Sequence, residues 1–226
     1  MDNADTGKVR CFGVIVAAGL SSRMGSFKPT LPIGQTTFIR RIICVMQRAG
    51  LDGIIVVGGA RADELSAHLS GERVKLLINP DYATTEMLTS FQIALRFAAG
   101  AGADAVVFTP VDIVLPGEEI YRALLNADTD ADCVRPSYQG RSGHPVLIRK
   151  RVFERILSYT GEGGLKGALR GADVRHAWVN VDDPGIFMDA DTPEEYEKIR
   201  RMAEDTDAPD QGAQGSGNID KRTENG

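Results

Sequence analysis

A glycine-bearing turn near the N-terminus carries the residues with the clearest potential for chemistry. Residues 14–28 form the sequence Val-Ile-Val-Ala-Ala-Gly-Leu-Ser-Ser-Arg-Met-Gly-Ser-Phe-Lys. Gly19 and Gly25 allow the backbone to turn tightly after the apolar run and to approach a ligand, because glycine has no Cβ atom. The exposed N–H groups of such a turn form an anion-binding concavity, and Arg23 and Lys28 add positive charge. The segment therefore predicts a polyphosphate site, and we expect its ligand to be a nucleoside triphosphate.

The glycine spacing differs from two common phosphate-binding motifs. Gly19 and Gly25 do not fit the Gly-x-Gly-x-x-Gly pattern of dinucleotide-binding folds. The Gly-x-x-x-x-Gly-Lys-Ser/Thr pattern of a Walker A loop does not occur in the chain. The structural alternative for the segment is an ordinary strand, turn and helix with incidental charges.

A carboxylate follows the apolar run that begins at residue 105. Asp112 comes directly after Phe108-Thr109-Pro110-Val111. A carboxylate at the end of a strand can hold Mg²⁺, which takes oxygen ligands and usually also contacts substrate phosphates. The alternative is an aspartate that serves only the turn after the strand, a position where this residue type is common.

Two further carboxylates precede the last predicted helix. Asp189 and Asp191 lie on one side of an extended segment, because side chains alternate along such backbone. Thr192 or Asp191 can cap the helix that Pro193 begins. We expect Asp189 to complete a metal site with Asp112, since Asp191 is the better placed cap, but the pattern leaves the choice between Asp189 and Asp191 open.

Strand-like and helix-like segments alternate along the chain. We predict strands at 11–18, 53–57, 74–78, 105–109, 131–136, 145–148 and 174–181. We predict helices at 37–49, 62–69, 89–99, 151–158, 164–169 and 193–203. Continuous apolar strands indicate burial on both faces, and hence a mostly parallel sheet between two layers of helices. The predicted fold class is α/β, a three-layer Rossmann-like sandwich over residues 8–203 with ligands at the carboxyl ends of the strands.

The composition narrows the class of protein. The net charge of −5 argues against a nucleic-acid partner, which would require a basic face. No run approaches the 18 apolar residues of a membrane span, and the polar N-terminus predicts no secretory signal. The three cysteines are far apart, offer neither a disulfide framework nor a metal site, and fit a reducing cytoplasm. Residues 204–226 have few large apolar side chains and are predicted to form a disordered polar tail.

Single residues outside these patterns are expected to be structural. His68 lies on a predicted surface helix, and His176 lies on a predicted strand. Neither histidine has a neighbour in the sequence that would suit a metal site. Trp178, on the same predicted strand, is expected in the core.

The glycine turn resembles the signature loop of sugar-nucleotide and molybdopterin nucleotidyltransferases, Ala-Ala-Gly-x-Ser-x-Arg-Met-Gly-x-x-Lys. Asn79-Pro80 with Met87-Leu88-Thr89-Ser90 is similar to a second family segment that approaches the base and ribose. Gly143-His144-Pro145 is similar to a segment that lines the site of the second substrate, and Asp189-Ala190-Asp191-Thr192-Pro193-Glu194-Glu195 is similar to the C-terminal motif. In this order the segments resemble the MobA-like nucleotidyltransferase superfamily, most closely its molybdenum cofactor cytidylyltransferase branch.

The resemblance implies a reaction and a set of site residues on a fold of the nucleotide-diphospho-sugar transferase type. The implied reaction is Mg²⁺-dependent transfer of CMP from CTP to the phosphate of molybdopterin, with release of pyrophosphate. The implied catalytic residues are Arg23, Lys28 and Asp112, and the implied metal ligands are Asp112, Asp189 and Asp191. The implied nucleotide contacts are Ala17, Ala18, Gly19, Ser21, Ser22, Arg23, Met24, Gly25, Lys28, Asn79 and Ser90. The implied acceptor contacts are Arg141, Gly143, His144 and Pro145.

Departures from the family pattern keep alternatives open. Glu86 stands where the family usually has glycine, and Ile113-Val114 replace the end of its Asp-x-Pro motif. Ala18 favours the cytidylyl branch, since the guanylyl branch more often has a second glycine there. The alternatives are a guanylyl- or other nucleotidyltransferase with a different phosphorylated acceptor, or a non-catalytic accessory protein for a molybdenum hydroxylase. For residues 87–90 the structural alternative is a helix start capped by Thr84 or Thr85.

Overall fold

A computed structural model of the chain describes residues 9–19 and 26–207, with the side chains of residues 205–207 excepted. The strands are β1 (Cys11–Ala17), β2 (Pro32–Ile33), β3 (Thr36–Thr37), β4 (Gly53–Gly58), β5 (Lys75–Ile78), β6 (Ala105–Pro110), β7 (Cys133–Tyr138), β8 (Arg141–Ser142), β9 (Val146–Arg149) and β10 (His176–Asn180). The α-helices are α1 (Phe38–Arg48), α2 (Ala62–His68), α3 (Met87–Gly100), α4 (Glu118–Leu125), α5 (Phe153–Leu157), α6 (Gly164–Ala168) and α7 (Pro193–Asp207). Short 3₁₀ turns cover Lys28–Thr30, Lys150–Val152 and Pro184–Phe187.

One mixed sheet organises the molecule. Its strands follow the order β10-β7-β9-β6-β1-β4-β5, and β8 pairs with β7. Parallel pairing joins four adjacent strands, β5, β4, β1 and β6. It also joins β7 to β10. Strand β9 is antiparallel to both β6 and β7, so that β7 again points in the direction of β6. The carboxyl ends of all the long parallel strands therefore meet at one edge.

Both faces of the central strand are buried. The side chains of Ile15 and Ala17 belong to one apolar cluster, which also contains residues of α1, α4 and α7. Val14 and Val16 belong to the other cluster, which contains residues of α3, α5 and α6. A strand that is apolar on both faces requires cover from two layers of helices. The predicted three-layer α/β fold with a mostly parallel sheet is thus confirmed.

Several elements differ from the sequence-based predictions. Helix α4 and the small β2–β3 hairpin were not among the predicted elements, and α7 continues to Asp207, beyond the predicted domain end at residue 203. Trp178 is 58% exposed, so its predicted place in the core is wrong. The reason is that β10 lies at the end of the sheet, where the ring stacks on His176 at 6.2 Å between centroids.

The helices are those of a core-forming α/β layer. None of them, within the part of the chain that the structure describes, combines the length and the apolar character needed to cross a lipid bilayer.

Candidate active site

A lysine ammonium joins two distant carboxylates at the carboxyl edge of the sheet. The Lys28 Nζ atom lies 2.6 Å from Oδ1 of Asp191 and 3.3 Å from Oδ2 of Asp112. Lys28 opens the 3₁₀ turn that follows the glycine turn, and Asp112 lies two residues beyond the end of β6. The side chain of Lys28 is only 12% exposed, whereas those of Asp112 and Asp191 are 23% and 38% exposed. The three groups thus form a partly buried ion cluster.

The position of Asp112 follows from the pairing of β1 and β6. These strands run parallel in register, and the N–H of Val111 donates to the carbonyl oxygen of Val16 just past the ladder. Ile113 and Val114 are buried. Their burial accounts for two apolar residues at the positions where the resembled family has the end of its Asp-x-Pro motif. The turn therefore holds Asp112 beside the exit of β1.

A capping box presents Asp191 to Lys28. The Thr192 Oγ1 atom accepts a hydrogen bond from the N–H of Glu195 at 3.2 Å, and Oε2 of Glu195 accepts from the N–H of Thr192 at 2.9 Å. This reciprocal pair is the usual capping box of a helix N-terminus. The expectation that Asp191 is the better placed cap is therefore wrong, and with it the reason for preferring Asp189 as the metal ligand. Thr192 caps α7, so the carboxylate of Asp191 remains available to Lys28.

The charges of the cluster favour a positive charge among its carboxylates. Burial alone would lower the pKa of Lys28, but hydrogen bonds and charges from Asp191 and Asp112 outweigh it and hold this pKa above its ordinary value. Burial raises the pKa of Asp189, and the negative charges of Asp191 and Asp112 raise it further. The third aspartate thus lies within electrostatic range of the other two. Mutual repulsion of this kind is relieved by a bound cation.

A cavity opens between the ends of β1 and β6 and the start of α3, and we call it the central cavity. It is lined by residues 16–19, 85–87 and 110–112 and by Lys28, Pro29, Tyr82 and Ser90. The predicted nucleotide contacts that lie in this lining are Ala17, Ala18, Gly19, Lys28 and Ser90. The predicted contacts Ser21, Ser22, Arg23, Met24 and Gly25 lie outside the described residues. Gly19, the last described residue before this gap, therefore lies in the wall of the central cavity.

Asn79 lies behind one wall of the central cavity and binds two residues of that wall. Its Nδ2 atom donates to Oγ1 of Thr85 and to Oγ of Ser90, each at 3.0 Å. Its Oδ1 atom accepts from the N–H of Asp81 at 3.0 Å, and Asn79 is 1% exposed. These three bonds use the side-chain amide inside the protein. Asn79 thus holds Thr85 and Ser90 in position. Its direct contact with a nucleotide stays a prediction.

The start of α3 is not capped by the threonines considered above. The N-cap residue is Glu86, which makes no side-chain capping bond, and Thr84 and Thr85 instead donate to the carbonyl oxygen of Asp81. The capping alternative for this segment is therefore wrong. Ser90 lies in the first turns of α3 and faces the central cavity.

Tyr82 and Glu86 are among the lining residues of the central cavity that were not predicted as site residues. A Cβ atom at Gly59 would lie 2.5 Å from Cβ of Tyr82 and 3.0 Å from the carbonyl oxygen of Ala18. Only glycine lets this loop approach the end of β1 so closely. The signal was the Gly58-Gly59 pair at the end of β4, since glycine at a strand end often marks a close backbone approach.

The four predicted acceptor residues lie apart from the lining of the central cavity. Arg141 places its guanidinium 4.1 Å from the ring centroid of Phe187, and the N–H of His144 donates to the carbonyl oxygen of Ile186 at 2.6 Å. Gly143 lies against the same carbonyl. Pro145 is buried and leads into β9. These residues pack on the 3₁₀ turn that spans Pro184–Phe187.

His144 is a neutral imidazole in contact with Phe108. Burial is the main reason that the pKa of His144 is lowered to about 4; a backbone hydrogen bond with Phe108 opposes the shift, and the charge of Arg135 adds to it. The two rings meet edge to face with centroids 5.4 Å apart. Among the described residues, the buried Nδ1 atom of His144 has no hydrogen-bond partner. His144 therefore offers a hydrogen bond but no positive charge.

A second cavity adjoins the first, and we call it the side cavity. It is lined by residues 86–88 and 163–165 and by Phe91 and Phe108. Glu86 and Met87 border both cavities, and Phe108 separates the side cavity from His144. Gly163 and Gly164 have positive φ angles of 82° and 57°, which favour glycine. The glycines at 161, 163 and 164 are the sequence signal for this loop.

We expect Gly143→Ala to destabilise the protein by about 1–3 kcal/mol, the usual range for overpacking. The added Cβ atom would collide with the carbonyl oxygen of Ile186, which also holds the backbone of His144. Urea unfolding followed by circular dichroism measures the change. Gly100→Ala is the matched control, because a Cβ there meets nothing within 4 Å. Equal stability of the two variants would contradict the packing described for residues 143–145.

The sequence model of the MobA-like NTP transferase domain matches residues 13–180. The chain belongs to this family. It is therefore a nucleotidyltransferase, and the match includes Lys28, Asp112 and His144. It ends before Asp189 and Asp191, although Asp191 contacts Lys28 in the structure and Asp189 lies within electrostatic range of Asp112.

This nucleotidyltransferase resembles several known proteins over most of its length. It is 29% identical over 188 residues to the molybdenum cofactor cytidylyltransferase of Escherichia coli K12, covering 81% of this chain and 92% of the relative. It is 27% identical over 205 residues to a molybdenum cofactor guanylyltransferase of Cereibacter sphaeroides, covering 86% of this chain and 97% of the relative. Rv0371c of Mycobacterium tuberculosis H37Rv has a similar crystal structure, with a TM-score of 0.77, 22% identity and coverage of 86% of this chain and 99% of the other.

Proposed function

We propose that the protein transfers CMP from CTP to the phosphate of molybdopterin and releases pyrophosphate. The observation that carries this proposal is the cluster of Lys28, Asp112 and Asp191 at the rim of the central cavity. Membership of the nucleotidyltransferase family and the similarity to a cytidylyltransferase support it. An oxygen of the acceptor phosphate would attack the α-phosphorus of CTP, and the bond to the β-phosphate would break.

The residues of the cluster suit a reaction that depends on position and charge. Phosphoryl-type transfer needs in-line placement of the reactants and neutralisation of the leaving group more than it needs covalent help. Lys28 and Arg23, together with backbone N–H groups of residues 18–25, would hold the β- and γ-phosphates. The ammonium of Lys28 would also stabilise the pyrophosphate as it leaves. No enzyme nucleophile is required.

The donor set of the cluster fits Mg²⁺. Among the described residues, no group of three or more histidine, cysteine, aspartate or glutamate side chains is arranged to hold a metal ion by itself. Magnesium, however, is usually bound by one or two carboxylates together with substrate phosphates. Asp112 and Asp191 would be these carboxylates, with Asp189 adding negative charge nearby. Bound there, the ion would neutralise phosphate charge and so favour attack by an anionic acceptor.

The central cavity favours a pyrimidine base. Ala17, Ala18 and Gly19 form the wall at the end of β1, and Tyr82 lies against it over Gly59. A methyl group at position 18 takes space that glycine would leave to a larger purine. Ser90, fixed by Asn79, offers a polar atom on the opposite wall. We therefore assign CTP as the nucleotide, with GTP as the competing candidate.

The side cavity is suited to the acceptor. It shares Glu86 and Met87 with the central cavity, so a molecule bound there would reach the nucleotide. Its walls are aromatic and aliphatic, as expected for a flat ring system. The carboxylate of Glu86 can accept hydrogen bonds from the N–H groups at the edge of a pterin. The proposed acceptor site is thus the cavity in front of Phe108, with His144 behind that ring, whereas the family resemblance implies residues 141–145.

A ligand screen followed by a product assay tests the proposal. In a thermal-shift screen of the four ribonucleoside triphosphates with Mg²⁺, we expect CTP to give the largest rise in Tm. A ligand at 100 times its Kd stabilises the folded state by about 2.7 kcal/mol. With CTP and molybdopterin, we expect stoichiometric pyrophosphate and a cytidylylated product.

The other outcomes of these assays are equally decisive. A shift and turnover with GTP alone would replace cytidylyl by guanylyl transfer. Pyrophosphate release with another phosphorylated acceptor, but not with molybdopterin, would overturn the acceptor. Binding of CTP and molybdopterin without pyrophosphate would favour an accessory protein for a molybdenum hydroxylase.

A further inference from the structure

We propose that Lys28 is an internal competitor of the divalent cation, so that the metal binds to Asp112 and Asp191 only when the ammonium moves to the phosphates. The inference rests on the proposed function only in assigning a divalent cation to these two carboxylates. It assigns Lys28 a positioning role in addition to its role in phosphate binding. Its consequence is that metal and nucleotide enter the site together.

The contacts of Lys28 support this competition. A single Nζ atom lies within hydrogen-bond distance of a carboxylate oxygen from each residue, at 2.6 Å from Asp191 and 3.3 Å from Asp112. A cation that bound the same two side chains would be brought against the ammonium. Two positive charges at such separation repel each other strongly in a partly buried site. Metal binding with Lys28 in place is therefore unfavourable.

The surroundings of Lys28 provide a second position for its ammonium. Lys28 lines the central cavity together with Ala17, Ala18 and Gly19, on the side of the predicted phosphate turn. A lysine side chain has four rotatable carbon–carbon bonds, and its ammonium can follow a negative charge over several ångströms. Nucleotide phosphates in the cavity would offer that charge. The ammonium would then leave Asp112 and Asp191 to the cation.

The competition couples the two ligands. Nucleotide binding draws Lys28 away from the carboxylates and so raises the affinity for the metal. By thermodynamic linkage, the metal raises the affinity for the nucleotide by the same factor. Lys28 thus links the two binding events, and the carboxylates are held together by the ammonium until the metal replaces it.

Titration with Mn²⁺ alone tests this inference without nucleotide, acceptor or turnover. The loss of the electron paramagnetic resonance signal of free Mn²⁺ measures binding to the metal-stripped full chain. Lys28→Met removes the competing charge and keeps an unbranched side chain of similar length. We expect it to bind Mn²⁺ about tenfold more tightly than the wild type, equivalent to about 1.4 kcal/mol.

Three further variants identify the source of the gain. Lys28→Arg keeps the positive charge, so we expect its Mn²⁺ affinity to stay near that of the wild type. In the double variant K28M/D191N, one of the two carboxylates loses its charge, and we expect the gain to disappear. Lys75→Met makes the same change of net charge on β5, where Lys75 lies over the ring of Phe97, and we expect no gain.

Two results of these titrations would overturn the inference. Equal or weaker binding of Mn²⁺ by K28M, or an equal gain in K75M, would show that Lys28 does not compete with the metal. Circular dichroism checks the fold of K28M, and K28Q replaces it in the titration if K28M does not fold. An error in the assigned base or acceptor leaves these titrations unchanged, so the two proposals fail separately.

Discussion

Asp112→Asn is expected to lower kcat by about a thousandfold, which corresponds to roughly 4 kcal/mol of transition-state stabilisation. The substitution keeps the shape of the side chain and removes the charge that faces Lys28. It also removes an anionic oxygen from the proposed magnesium site. Release of pyrophosphate from CTP in the presence of molybdopterin and Mg²⁺ measures the effect.

The stability of Asp112→Asn separates a functional role from a structural one. Asp112 is partly exposed, and its ion pair with Lys28 lies at the rim of a cavity. We therefore expect the free energy of unfolding to change by no more than about 1 kcal/mol. Asp128→Asn, at an exposed position between α4 and β7, is the control for loss of one negative charge. Turnover by Asp112→Asn at the wild-type rate would remove Asp112 from the site.

Lys28→Ala is expected to weaken CTP binding by roughly 10- to 100-fold, the value of one charge-assisted hydrogen bond to phosphate. The acceptor, in contrast, should bind with unchanged affinity, because Lys28 lines the central cavity but not the side cavity. Calorimetric titrations with CTP and with molybdopterin give the two dissociation constants. Lys198→Ala, on the exposed surface of α7, serves as the control for net charge.

The ratio of the two effects is the informative quantity. A loss of affinity that is equal for CTP and molybdopterin would contradict the assignment of the phosphates to the central cavity. A loss confined to CTP would support it. The outcome does not depend on whether the base is cytosine or guanine, provided that the triphosphate used is the one that stabilises the protein.

The architecture was predictable because its signals are local. Apolar runs near 14–18, 53–57 and 105–109 are long enough to identify strands, and their lack of alternation indicates the buried parallel sheet. The missed helix α4 also carries a local signal, since Ile120, Tyr121 and Leu124 recur at helical spacing. The strand order, in contrast, is non-local. The exposure of Trp178 depends on β10 being an edge strand, which no pattern within residues 174–181 reveals.

The candidate site was predictable in position but not in its contacts. Parallel strands bring Lys28 and Asp112 to one edge, and the rule for ligand sites in such sheets places them together. The contact between Lys28 and Asp191 spans 163 residues and depends on how α7 returns to the sheet. The choice between Asp189 and Asp191 depended on the cap of α7. The sequence signal for that cap is the pair Thr192 and Glu195, which has the spacing of a capping box.

The reversed direction of β9 has a consequence for how such a protein could be altered. Because β9 runs against β6 and β7, the connection at 139–145 turns over the same rim that the exits of the parallel strands share. Only its exposed tip, Gln139 and Gly140, can gain residues without disturbing the packing of 143–145 on Ile186. An insertion there would reshape the rim beside β9 and leave the pairing of β1 with β4 and β6 unchanged.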